Sequence, residues 1–289
     1  MGLGQAAVQL TLELWQRGLF KNIKSVVDMG SQEIHVEADQ FEGLVRAAGV
    51  SNYRSTNFPG IENYPAHPRS SARHFYQMLG AENYACIDLN KDFGAIPHDL
   101  NTPFSDPAHV GKYDLVTDHG SLEHAFNIAE AYRTLHRLCK VNGLILAVQQ
   151  VYGGNGYYNF DQSFFEGIAA ANGYKIVFAS FVLTPPNSKE QFHVPIASAM
   201  LDVVDWGKVD YLGMAYVFQK QMDSEFQFPY QGEYLSQAQN HYGYNLHFSV
   251  EPPSRTYVPI FDLNAMKTKA LVDVLSQRLR NRLFRAFRT

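Results

Sequence analysis

Four positions in the first half of the chain carry residue types that could hold a nucleoside and work beside it. Gly30 follows the apolar run IKSVVDM, Asp88 ends YACIDL, Asp99 sits in IPHDLNTPF, and His119-Gly120 follow DLVTD. A glycine after a first buried strand lets backbone approach a ligand closely. A carboxylate at the end of the next strand can accept both ribose hydroxyls, and one on the following connection can accept from an exocyclic amine. His119 then stands where a reactive centre would have its floor, and an imidazole titrates near working pH.

Competing chemistries fit the spacings less well. Asp118, His119, Glu123 and His124 give H-x-x-x-E-H, which matches neither common zinc pattern, so no metal is expected. G-x-G-x-x-G is missing after the first strand, and a dinucleotide needs backbone that only glycines allow near its pyrophosphate. Gly153-Gly154-Asn155-Gly156 follows a late strand and lacks the Lys-Ser/Thr pair of a phosphate loop. Cys86 and Cys139 each lie in an apolar stretch and read as buried thiols.

The elements that must position these groups alternate in type. Ile23–Met29 reads as a strand entering a tight turn, followed by a helix over Phe41–Ala48 that Gly49 stops. Residues 50–68, with three prolines and a glycine, read as an inserted loop. Ser70 or Ser71 can cap a helix through Leu79, closed by Gly80; Tyr84–Leu89 and Asp114–Asp118 are strands. Ala125–Cys139 has apolar residues at helical spacing, and Asn142-Gly143 should end that helix before the strand Leu144–Val148. Asp161 caps a helix through Ala171, stopped at Asn172-Gly173, and Tyr174–Leu183 and Tyr211–Gln219 are late strands. The stretch 184–210 between them reads as a cover over a site. Such alternation predicts an α/β fold, largely parallel, with helices on both faces.

The 289 residues can bury a large core without staples, and a formal charge of −4 gives no basic field for nucleic acid. MGLGQAAVQLTLELW has no basic n-region, and no run reaches the roughly 18 apolar residues of a membrane span. These features predict a soluble, cytoplasmic protein with a small-molecule substrate. Tyr and Phe cluster in 152–165 and 226–257, which suits core packing or a pocket for an apolar or ring-bearing molecule. Near the end, Leu271, Leu275, Leu279, Leu283 and Phe287 recur every fourth residue, with arginines gathering toward the terminus. That pattern predicts a basic amphipathic helix docked on the body or on a second subunit, so a homo-oligomer is plausible.

The blocks VVDMGSQ at 26–32, YACIDLN at 84–90, PHDLNTPF at 97–104 and YDLVTDHGSLEHAFNIAEAYRTLHRLCKVNGLILAV at 113–148 resemble the class I S-adenosylmethionine-dependent methyltransferases over roughly residues 20–220. The resemblance implies a Rossmann-like, seven-stranded, mostly parallel sheet. It implies the methionine part of S-adenosylmethionine near Asp28 and Gly30, ribose at Asp88, adenine beside Leu89, Asp99 and Leu100, and the sulfonium facing His119. Asp118, at the same strand end, is counted with these contacts. Two departures stand out. Ser31 and Gln32 replace the usual glycines, so their side chains crowd the cofactor or bond to it. Asp88 follows Gly30 by 58 residues, where about 20 is usual, and the 50–68 insertion accounts for the excess.

Methyl transfer from a sulfonium needs donor and acceptor held close and in line, and a base only when the acceptor carries a proton. His119 is the first candidate base, with His124, Tyr157 and Tyr158 in reserve. Residues 1–220 would form the methyltransferase domain and 221–289 a C-terminal extension. Two alternatives are a catalytically degenerate relative acting as a binding or partner subunit and another nucleoside-cofactor enzyme, such as a sugar-modifying oxidoreductase.

Overall fold

The computed structural model describes residues 2–185, 187–188, 190–196 and 209–230. The chain opens with β1 (Gly2–Gly4), α1 (Gln5–Gln16), β2 (Ser25–Met29), β3 (Glu33–His35) and α2 (Ala38–Ala47). Next come α3 (Ala72–Met78), β4 (Asn83–Asp88), β5 (Ile96–Pro97), β6 (Tyr113–His119) and α4 (Ile128–Leu138). The last elements are β7 (Cys139–Tyr152), α5 (Gln162–Ala171), β8 (Lys175–Thr184), β9 (Phe192–Pro195) and β10 (Tyr211–Gln219).

Eight strands form the main sheet in the order β5-β4-β2-β6-β7-β10-β8-β9. The pairs from β5 to β7 are parallel, and those from β7 to β9 are antiparallel. From β2 the chain moves outward through β4 to β5, then returns to the other side of β2 as β6. The order therefore reverses between β2 and β6, and in sheets of this kind ligands bind at such a reversal, beyond the carboxyl ends of the strands. This is the Rossmann-like arrangement expected, with one strand more than seven. The additional strand, β9, is an edge strand that comes from the stretch read as a cover.

The side-chain period of two divides the core. Val26, Leu115 and Leu146 pack on one face with Leu10 and Leu14 of α1, Phe41 of α2 and Phe75 of α3. Val27, Val116 and Ile145 pack on the other with Leu135 of α4 and Phe165 of α5. At roughly 25 cal/mol per Å2 of apolar surface, this two-sided burial is the main stabilising term. Ser71 caps α3 by accepting from the Arg73 N–H at 3.2 Å, and Asp161 caps α5 by accepting from the Ser163 N–H at 2.8 Å.

Two sequence expectations are corrected, and one stretch folds where no element was expected. Asn142-Gly143 do not end a helix: α4 stops at Leu138, and both residues lie inside β7, where Asn142 has φ +65° and gives its N–H to the Lys220 carbonyl. The N-terminal stretch, read above only for targeting signals, folds as β1 and α1, and β1 pairs in parallel with β3 as a separate ribbon. The part of 184–210 that is described holds β9 rather than a free cover. The basic helix of Leu271–Phe287 and most of the 221–289 extension lie outside the described residues. No helix among the described residues is long and apolar enough to cross a membrane.

Candidate active site

β2, β4 and β6 run parallel, so Gly30, Asp88 and His119 meet at one edge of the sheet. Gly30 has φ +94°, and a methyl group there would collide with the Ser121 hydroxyl, so both conformation and space require glycine. Its N–H bonds to the Ile87 carbonyl at 2.7 Å, which ties the turn to β4. Ser31 gives its N–H to Asp88 Oδ2 at 2.8 Å and its hydroxyl to Asn90 Oδ1 at 2.8 Å. Gln32 is wholly buried and donates from Nε2 to the Met29 carbonyl (2.9 Å) and to the Ser121 hydroxyl (2.7 Å). The turn, which has no glycine after Gly30, is thus stiffened by side chains.

The features expected to hold a nucleoside lie just beyond it. Asp88 Oδ1 accepts only a long bond, 3.3 Å, from the Asn90 N–H, and Leu89 beside it is 71% exposed. Asp99 is committed to Asn101, accepting from its N–H at 2.9 Å and its Nδ2 at 2.8 Å, and these bonds hold its carboxyl below the ordinary range. Leu100 is half-buried and packs at the edge of the core.

A cavity of about 430 Å3 opens next to His119. Its walls include Gly4 and Gln5, His35 and Glu37, Tyr64 of the 50–68 insertion, His119, Glu123, His124 and Tyr211. His119 is 5% exposed, its Nε2 lies 3.1 Å from the Tyr76 hydroxyl, and its Nδ1 has no partner. Burial pushes it down to about 4, so it is a neutral imidazole at pH 7. Glu123 accepts the Gln150 N–H at 2.7 Å and is pushed up to about 7, again by burial.

The structure separates the other expected residues. His124 lines the cavity with a partly exposed ring that burial pushes down. Tyr157 does not line it: the ring is 73% exposed and stacks edge-on against Phe126. Tyr158 gives its hydroxyl to the Phe126 carbonyl at 2.6 Å. Asp118 is wholly buried and closes the turn after β6, accepting from the Ser121 and Leu122 N–H groups and from Gln149 Nε2. Both its oxygens accept bonds from within the protein. Asp28 is also wholly buried, beneath the sheet edge rather than in the cavity wall, and accepts from the hydroxyls of Tyr84 (2.6 Å) and Thr117.

His35, Glu37, Tyr64 and Glu123 are cavity walls that sequence reasoning missed. The first three lie outside the alternating strands that guided it, in segments brought to His119 only by the β1–β3 pairing and the insertion. Glu123 was visible only as part of a poor metal pattern. Among the described residues no group of three or more His, Cys, Asp or Glu is placed to hold a metal ion.

No family model matches the chain, and no curated protein matches it in sequence. Solved structures do match, and many of those it resembles are S-adenosylmethionine-dependent methyltransferases. One is the Burkholderia thailandensis 1,6-didemethyltoxoflavin N1-methyltransferase with its substrate and S-adenosylhomocysteine bound, at 11% identity and a TM-score of 0.41 over 75% of this chain and 80% of that one. Another is a methyltransferase from Aquifex aeolicus, at 9% identity and a TM-score of 0.34, over 73% of this chain and 98% of that one. A third is the MycE methyltransferase of the mycinamycin pathway, solved with Mg and S-adenosylhomocysteine, at 13% identity and a TM-score of 0.38; 78% of this chain spans 52% of that one, about half its length. At such scores the fold rests on the strand order itself.

Proposed function

We infer that the chain binds S-adenosylmethionine beyond the carboxyl ends of β2, β4 and β6 and transfers its methyl group to a small molecule seated in the cavity. The observation that carries this reading is His119: a buried, neutral imidazole with an unpartnered Nδ1, in a cavity wall next to the point where the strand order reverses. Buried polar atoms without partners are uncommon, so Nδ1 is suited to a ligand.

The residues present fit the cofactor. Asp88 keeps one carboxylate oxygen nearly free for ribose hydroxyls, and exposed Leu89 beside it offers an apolar face to a base. Gln32 Oε1, buried without a partner, adds an acceptor at the turn that would meet the methionine end. Ser31 holds Asp88 in place rather than touching the cofactor, and Asp28 and Asp118 support the strand ends from below. Bound S-adenosylmethionine would supply an electrophilic methyl group on a sulfonium. A neutral His119 does not repel that positive charge, and its free nitrogen can orient an acceptor or take its proton. His124 and Glu123 stand in the same wall as secondary polar contacts. Among the described residues the walls hold Glu37 and Glu123 but no Lys or Arg, which favours neutral or amine-bearing acceptors over anionic ones. In this reading residues 1–220 form the catalytic domain.

A second reading, a related subunit without catalysis, draws support from Gln32, whose side chain fills the turn where backbone usually stands open. Transfer of labelled methyl from S-adenosylmethionine to a panel of neutral and amine metabolites separates the two. The first reading expects incorporation that falls steeply in His119→Ala; a folded, cofactor-binding protein inactive on every acceptor would favour the second.

A further inference from the structure

His119 is the visible end of a line of neighbouring hydroxyl and carboxyl groups that runs beneath the sheet edge. Asp28 of β2 and Thr117 of β6 are register partners, and His119 lies two residues beyond Thr117 on the same face of its strand. Tyr76 of α3 covers that face. Its hydroxyl lies 3.1 Å from His119 Nε2 and stands next to Thr117, and the Thr117 hydroxyl in turn bonds Asp28 Oδ1. Asp28 Oδ2 accepts from the Tyr84 hydroxyl at 2.6 Å. Asp28 and Thr117 are fully buried, and Tyr76 is 1% exposed. The line is therefore sealed from solvent except where His119 faces the cavity.

We propose that Thr117 and Tyr76 form a proton path between His119 and the buried carboxyl of Asp28, so that a proton taken from the cavity at Nδ1 comes to rest on Asp28. The proposal rests on the reading of His119 as the group that meets the acceptor. With Asp28 ionised, His119 Nε2–H donates to Tyr76, Tyr76 to Thr117 and Thr117 to Asp28, leaving the Nδ1 lone pair bare. As Nδ1 takes the acceptor's proton, Nε2 passes its own to Tyr76, Tyr76 passes its own to Thr117, and Thr117 passes its own to Asp28. The acceptor keeps the electron pair of the broken bond, the imidazole ends neutral with its proton on Nδ1, and Asp28 ends as the acid.

Proton affinities support this direction. His119 alone sits near 4, whereas burial pushes Asp28 up to about 8 despite the bond from Tyr84. The groups that face Asp28 do not hold it ionised. Tyr84 and Cys86 of β4 and Tyr76 of α3 are all pushed above their ordinary values, Asp118 of β6 is another acid, and Arg73 sits over the Tyr84 ring instead of pairing with the carboxyl.

Long-range 1H–15N NMR of the histidine-labelled full chain, without ligand, reads the tautomer of His119 between pH 6 and 10. The expected result is the Nδ1–H form at pH 6, with neutral Asp28 donating into the line, and the Nε2–H form above about pH 8. The change should vanish in Thr117→Val and in Asp28→Asn, and Tyr76→Phe serves as a third break if either fails to fold. A single tautomer across the range in the wild type, or a change that persists in a folded Thr117→Val, would overturn the path. Because no cofactor is present, this outcome is separate from any failure to bind S-adenosylmethionine.

Discussion

The Tyr76 hydroxyl lies 3.1 Å from His119 Nε2, which joins a helix on one face of the sheet to the strand end at the cavity. That contact fixes the ring of His119 and leaves Nδ1 as its only free nitrogen. Replacing His119 with Ala should therefore lower methyl transfer by about 10²–10⁴-fold, the range for a lost acid–base group, while S-adenosylmethionine binding changes little. Parallel measurements of turnover and of cofactor affinity check this, and an equal loss of both would mean that His119 binds rather than reacts.

Gly30 should not tolerate a side chain. Gly30→Ala puts a methyl group against Ser121 at φ +94°, so it should destabilise the fold by about 1–3 kcal/mol. Urea denaturation measures the loss, and a change within error would show that the turn can relax.

Lys220 is 3% exposed and donates from Nζ to the His136 and Cys139 carbonyls at 3.1 Å each, closing the C-terminal end of α4. Lys220→Met keeps the length but strands both acceptors, and leaving a buried acceptor unpaired costs about 1–3 kcal/mol. The variant should unfold at lower urea while retaining the active-site geometry.

Two opposed pH effects on stability follow from burial. His35, His119, His136 and His193 are each pushed down to about 4. Between about 4 and 6.5 the unfolded chain binds more protons at these sites than the folded one. Their stabilising contribution is therefore complete above pH 6.5 and is lost as pH falls toward 4. Asp28 is raised to about 8, so its contribution is complete below its unfolded value near 4 and is lost as pH rises through 8. Urea midpoints from pH 4 to 9 should fall at both ends, and Asp28→Asn should flatten the alkaline fall. A fall unchanged in that variant would place the alkaline titration elsewhere.

Much of the sheet was legible because its strands are short apolar runs punctuated by capping residues and glycines. Ser71 and Asp161 cap helices where read, and Gly49 and Gly80 take the positive φ that ends them. The ribbon of β1 and β3 carries no such signal, since three-residue strands about 30 positions apart show no local period. α1 was hidden for a related reason: Gly4 gives it no side-chain cap, and its first turn has no acid. Asn142-Gly143 misled because an asparagine with φ above zero serves a register shift inside a strand as well as a helix end. Gly30, Asp88, Leu89 and His119 stand at strand ends where the sequence places them, because each follows a short apolar run. The cavity walls at His35 and Tyr64 were not legible in this way, because tertiary pairing alone brings them there.

Isothermal titration of the full chain with S-adenosylmethionine and S-adenosylhomocysteine, repeated on Asp88→Ala, tests the central claim most directly. Micromolar binding of both ligands, weakened at least tenfold in a folded Asp88→Ala, is the predicted result. No heat of binding from a well-folded wild-type chain, or equal binding in the variant, would contradict it.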